Sequence, residues 1–223
     1  MTTIGTAPAS LPASLLPPER GRPGPAASLC LQTGLVHPGT PHYRFCVDQV
    51  KRKYLDRYGA VVDPRPDLFV TAWDSARHSP TFGRTLGVAG LTNAAGRRLL
   101  SEDYLDVPIE QACADLVPGI RADRSRIAEM GPVASFHPGI GAFLMRNLPW
   151  VAFSSGYDFL LSTLTEKLHE VVKAVGWEFH TLTNARRADL IGPQTADWGT
   201  YYSTKPRTGI LHCEQSVALR ATG

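Results

Sequence analysis

The residue best suited to chemistry in this 223-residue chain is a carboxylate set among apolar neighbours, Glu129 in the run RIAEMGPVAS at 126–135. An ionised group on a mostly apolar strand is costly unless it is paired. Two roles fit it: a structural ion pair with Arg124 or Arg126, or a base of raised pKa that takes a proton from an amine. Glu102 and Tyr104, in LLSEDYLDVPIE at 99–110, are open to the same two kinds of reading. A second feature, Pro138-Gly139-Ile140-Gly141, falls where a strand gives way to a helix. Backbone N–H groups freed by glycine, with the helix dipole behind them, can hold a phosphate there. An ordinary strand-to-helix turn has the same composition.

Other chemistries lack their motifs. The glycine spacing is not G-x-G-x-x-G, no G-x-x-x-x-G-K-[ST] or G-x-S-x-G occurs, and the seven histidines form neither HExxH nor a Cys/His ligand pair. A dinucleotide site, a P-loop, a serine-hydrolase elbow and a metal site are therefore not expected.

The elements that must position these residues follow from apolar periodicity. Val47, Val50 and Tyr54 recur at helical spacing over 43–58, with Gly59 as a stop and Lys51, Arg52, Lys53 and Arg57 outward. LFVTAW (68–73) and TLGVAGLT (85–92) read as strands joined by a long connection, and 104–114 as a short helix. Residues 126–135 read as a strand in which Pro132 demands a bulge or an edge. An apolar helix over 142–153 is expected to break at Pro149. A buried strand follows at 157–164, then a helix over 166–175 capped by Thr165, then a strand at 177–182. This βαβαβ run predicts an α/β fold with a mixed, partly parallel central sheet.

Residues 1–41 hold eight of the 18 prolines and are expected to form a disordered tail, leaving 42–223 as one domain. With 43% hydrophobic and 19% charged residues, the chain can bury a sizeable core. The net charge of +3 excludes a strongly basic nucleic-acid coat. No apolar stretch is long enough to span a bilayer, no secretory signal is visible, and four scattered cysteines suit a reducing cytoplasm. Charge is uneven along the chain. Residues 42–98 carry ten bases and five acids, whereas 99–119 carry five acids and no base. Either these are two solvated faces, or a basic surface for a phosphate-bearing partner adjoins an acidic wall that draws in a cationic substrate.

Taken together, LLSEDYLDVPIE (99–110), RSRIAEMGPVAS (124–135), STLT (162–165) and WGTYY (198–202) with Pro206 resemble the thermostable hemolysin family. That family is similar to the GNAT (Gcn5-related N-acetyltransferase) acyltransferases and to acyl-homoserine-lactone synthases. The resemblance spans about residues 47–211 and departs from the family at Pro132, where Asn is usual, and at Ser101, which replaces an apolar residue. It implies a GNAT-like sheet with helices on both faces, whose acyl donor lies where two parallel strands splay apart. Gly131, Val133, Ser135, Pro138, Gly139, Gly141, Thr163 and Thr165 would then flank the donor. Glu129 would serve as base, with Glu102 beside it, and Tyr201 or Tyr202 would return a proton to the leaving group. Arg124, Arg126, Tyr104 and Trp198 would contact the acceptor. Gly139 and Gly141 keep the register of the acetyl-coenzyme A signature, but Phe136 stands where Gln or Arg is usual.

The resemblance thus implies a transferase that uses no tightly bound cofactor and acylates a small-molecule amine, in specialised metabolite biosynthesis. Its donor would be a polyanionic carrier, with aminoacyl-tRNA preferred over acyl-carrier protein or acyl-CoA on the arginine-rich surface. Phe136 and Pro132 favour an alternative, a non-catalytic ligand-binding module on a degenerate cleft. The family name suggests a membrane-active effector, but no membrane-competent hairpin or amphipathic helix is visible.

Overall fold

A computed structural model describes residues 29–191 and 197–221. Seven strands form one sheet: β1 (Leu31–Val36), β2 (Leu68–Asp74), β3 (Thr85–Asn93), β4 (Ile127–Ser135), β5 (Phe159–Leu164), β6 (His180–Asn184) and β7 (Arg207–His212). Their spatial order is β1-β2-β3-β4-β5-β7-β6. Every neighbouring pair is antiparallel except β4–β5, which is parallel.

Alternation along the strands assigns residues to two faces. On one face, Leu68, Val70 and Ala72 of β2, Leu91 of β3, Met130 of β4 and Leu160 of β5 pack under α3 (Ile140–Ser154), α4 (Glu166–Ala174) and α5 (Cys213–Ala221). The other face carries two separate clusters. Phe69, Val88 and Ala134 pack against Cys46 and Val50 of α1 (Pro41–Tyr58). Ile127, Phe159, Leu161 and Ile210 pack against Ile109, Ala112 and Cys113 of α2 (Ile109–Leu116). Helices thus cover both faces. Between the α1 and α2 clusters the sheet presents polar residues, and the site lies there.

Several expectations change. Residues 1–28 of the expected tail lie outside the described residues, but 31–36 form β1, because this stretch can complete a ladder along β2. The helix expected at 104–114 divides into a 3₁₀ helix, Leu100–Tyr104, and α2, because Pro108 is tolerated only at a helix start. The expected strand at 177–182 begins at His180 instead, since Trp177 turns inward.

The helix expected to break at Pro149 runs on to Ser154. Proline removes the N–H that would bond the carbonyl four residues back, here that of Met145. The buried indole of Trp177 donates to this carbonyl at 2.7 Å. The bulge expected at Pro132 is present in β4, which is nonetheless a central strand: its register against β3 shifts between Ala89 and Leu91. Glu129 and Ala134 consequently face the same side although five residues apart. Gly90 makes room for the bulge, because a Cβ there would lie 2.6 Å from the Gly131 carbonyl oxygen.

Replacing Trp177 with Phe leaves a buried carbonyl unpaired and is expected to cost about 1–3 kcal/mol in urea unfolding. Unchanged stability would show that the helix tolerates Pro149 without this bond.

Candidate active site

The parallel pairing of β4 with β5 is brief: Ile127, Ala128 and Glu129 pair with Phe159, Leu160 and Leu161, and there the ladder ends. Beyond it the strands part. The Ser162 hydroxyl donates to the Met130 carbonyl at 2.9 Å across the start of the gap. Past the bulge, Val133 and Tyr54 of α1 line the cleft together, with the Val133 backbone against the Tyr54 hydroxyl.

Two pockets meet at this divergence. The larger, about 830 Å³, lies over the polar strip between α1 and the 3₁₀ helix, and Glu129, Thr92, Ser101 and Tyr104 line it. The smaller, about 280 Å³, occupies the gap between β4 and β5. Tyr54, Met130, Gly131, Thr163 and Tyr201 line both.

Glu129 has neither arginine as its partner, which corrects the ion-pair reading. Arg124 is held by Glu102 and Glu110, and Arg126 pairs with Asp158 at the start of β4. The chain folds the first turn of the 3₁₀ helix over the Glu129 carboxylate instead. Leu100 N–H donates to Oε2 at 2.9 Å, while Ser101 donates to Oε1 through its N–H at 2.9 Å and its hydroxyl at 2.5 Å. Burial raises the Glu129 pKa, and these donors act against that rise without cancelling it. The result is a carboxylate that faces a cavity and binds a proton more readily than an ordinary glutamate does.

Glu102 has a different environment. It is buried and accepts Arg124 Nη1 at 3.0 Å, Arg124 Nη2 at 2.8 Å and the Leu99 N–H at 2.7 Å. Burial pushes its carboxyl up, but Arg124 and the N–H outweigh that and hold it below the usual range. Asp103 takes Arg98 at 2.8 Å. Three of the five acids at 99–119 are thus spent on arginines, and none of the five lines the large pocket. This corrects the acidic wall expected to attract a cationic substrate. The ionic residues lining the pocket are Lys51, Arg52, Arg65 and Arg98 against Asp63 and Glu129.

The remaining residues named from the sequence divide clearly. Gly131, Val133, Ser135, Gly141, Thr163 and Thr165 line the smaller pocket. Pro138 and Gly139 do not line it, and lie exposed in the turn into α3. Lys53, Arg57 and Lys167 also line this pocket and were not singled out for it; without knowledge of the pocket they read as outward helix charges. Phe136 packs into the α1 cluster. Tyr104 and Trp198 line the large pocket, whereas Arg124 and Arg126 line neither.

Tyr201 sits at the junction, where its hydroxyl donates to the Thr163 carbonyl at 3.2 Å and burial holds its pKa well above the ordinary value. Tyr202 lines neither pocket, and its hydroxyl lies 2.6 Å from that of Tyr104. Among the described residues no helix is long and apolar enough to cross a membrane.

Comparison with known proteins agrees with this architecture. The thermostable hemolysin family model matches residues 36–217. No curated protein sequence matches the chain. Among the solved structures that share the fold are the following three. FeeM, an N-acyl amino acid synthase from uncultured soil microbes, is 13% identical with a TM-score of 0.53, covering 84% of this chain and 94% of its own. BjaI, a CoA-dependent acyl-homoserine lactone synthase, is 12% identical with a TM-score of 0.53, covering 85% and 87%. The AHL synthase LasI is 9% identical with a TM-score of 0.51, covering 83% and 91%. The fold is therefore GNAT-like, and these neighbours are acyl-transferring enzymes.

Arg124→Ala leaves a buried carboxylate without its cation and is expected to destabilise the protein by about 3 kcal/mol at neutral pH. Because the folded pKa of Glu102 is depressed, this pair stabilises above the unfolded carboxyl pKa and stops doing so as pH falls through the folded value. The gap between wild type and variant in chemical unfolding should therefore narrow below about pH 4. A gap independent of pH would contradict this assignment.

Proposed function

The chain belongs to the thermostable hemolysin family, and from the meeting of its two pockets we propose that it is an acyltransferase that forms an amide on a small-molecule amine. The observation that carries this reading is Glu129, a carboxylate with a raised pKa in one pocket, beside a strand divergence that forms the other. The donor occupies the smaller pocket, and its carbonyl lies where β4 turns backbone N–H groups into the cleft near Val133, in the manner of an oxyanion hole. Glu129 takes a proton from the ammonium, directly or through water. The freed amine nitrogen attacks the acyl carbon and forms the C–N bond. The C–S or C–O bond to the carrier breaks, the leaving sulfur or oxygen accepts a proton, and the proton still on the attacking nitrogen replaces it on the donating group. Tyr201, at the junction, is better placed than Tyr202 to be that donating group.

Lys53, Arg57 and Lys167 have no ion pair among the described residues and suit a donor that carries phosphates. A macromolecular carrier fits this rim, with aminoacyl-tRNA preferred over acyl-carrier protein and acyl-CoA because of the basic surface on α1. The larger pocket favours an amine that also bears an anionic group, since four cations and two anions line it and Arg52 has no charged partner among the described residues. An alternative is a ligand-binding module without turnover, which the packing of Phe136 into the α1 cluster favours, because it removes the usual polar residue from the phosphate loop.

Glu129→Gln is the test. In a steady-state assay over a panel of amines and acyl or aminoacyl donors, kcat is expected to fall by ~10²–10⁴, the usual consequence of losing a general base. Activity within about threefold of wild type would remove Glu129 from that role. Saturable donor binding with no turnover by the wild type would favour the binding module.

A further inference from the structure

Behind Glu129 a line of hydroxyl groups crosses the sheet. Ser101 Oγ lies 2.5 Å from Glu129 Oε1, Thr163 Oγ1 lies 2.8 Å from Ser101 Oγ, and Thr208 Oγ1 lies 2.7 Å from Thr163 Oγ1. Thr163 and Thr208 face each other in the β5–β7 register, so the backbone fixes their separation. Thr208 is fully buried.

A hydroxyl has one proton to donate. With Glu129 ionised, the Ser101 proton goes to the carboxylate, so Thr163 must donate to Ser101 and Thr208 must donate to Thr163. All three O–H dipoles then point along one line toward the negative charge. In a low-dielectric interior such a chain polarises cooperatively. From this arrangement we infer that Thr163 and Thr208 are positioning residues, which act through Ser101 to favour the charged form of Glu129 and to hold its carboxylate toward the pocket. The chain ends on a buried threonine, so it sets the proton affinity of Glu129 and gives the proton no exit to solvent. A proton taken from the amine must leave Glu129 on the pocket side. Thr208 lines neither pocket and contacts no substrate in this account.

The inference rests on Glu129 as the base, but it is tested without turnover. In ¹³C-glutamate-labelled protein, NMR titration follows the Glu129 carboxyl, assigned by its absence in Glu129→Gln. Ser101→Ala is expected to raise the midpoint by about one pH unit, since it removes a hydrogen bond to a charged group. Thr208→Val, a near-isosteric change two hydroxyls away, is expected to raise it by a few tenths of a unit, and Thr208→Ser to restore it. Where Thr208→Val fails to fold, Thr163→Val serves in its place, with a midpoint expected between those of the wild type and Ser101→Ala. A midpoint that moves with Ser101→Ala but not with the threonine variants would overturn the chain. These outcomes are independent of kcat in Glu129→Gln, so failure of the chain and failure of the base assignment are separately visible.

Discussion

The separation of β4 from β5 is the constraint on which the rest depends. Three residue pairs hold these strands parallel, and then the bulge at Gly131–Pro132 turns β4 away while β5 stays paired with β7 along its whole length. Strand edges inside a sheet expose N–H and C=O groups that need partners. Here Ser162 covers the Met130 carbonyl, and the Tyr54 hydroxyl stands against the Val133 N–H. The backbone groups freed where the strands part are therefore met by side chains of β5 and α1. Gly90 is part of the same device, because only a residue without Cβ leaves room for the displaced Gly131 carbonyl.

The two glutamates near this cleft illustrate how environment assigns roles. Glu102 has a guanidinium and is held ionised, so it fastens the 3₁₀ helix and α2 to the start of β4 through Arg124. Among the described residues Glu129 has no cationic partner and only neutral donors, so burial dominates and its proton affinity rises. Glu129 depends on Glu102: Arg124 and Glu102 anchor the turn whose N–H groups hold the Glu129 carboxylate.

Much of this was visible in the residue pattern. The helix at 43–58, the strands at 68–73 and 85–92, the bulge at Pro132 and the Thr165 cap follow from periodicity and local stereochemistry, which act over a few residues. The course of the chain past Pro149 was not, because the indole that satisfies the Met145 carbonyl lies 32 residues away in sequence. The partner of Arg124 is not legible for a similar reason: proximity in sequence allows Glu129, whereas the fold brings Glu102 and Glu110 to it. Thr208 gave no sequence signal at all. Its place is set by the β5–β7 register, a long-range pairing that composition does not encode.

In the proposed reaction an acyl donor enters the β4–β5 cleft and meets the amine beside Glu129. Amide hydrogen exchange, read by mass spectrometry with bulk aminoacyl-tRNA and with acyl-CoA in parallel, addresses it most directly. Protection by one of these polyanionic donors at 131–141 and 162–168, weakening as salt is raised, is the predicted result. Protection by neither donor, or protection confined to segments away from that cleft, would contradict the account.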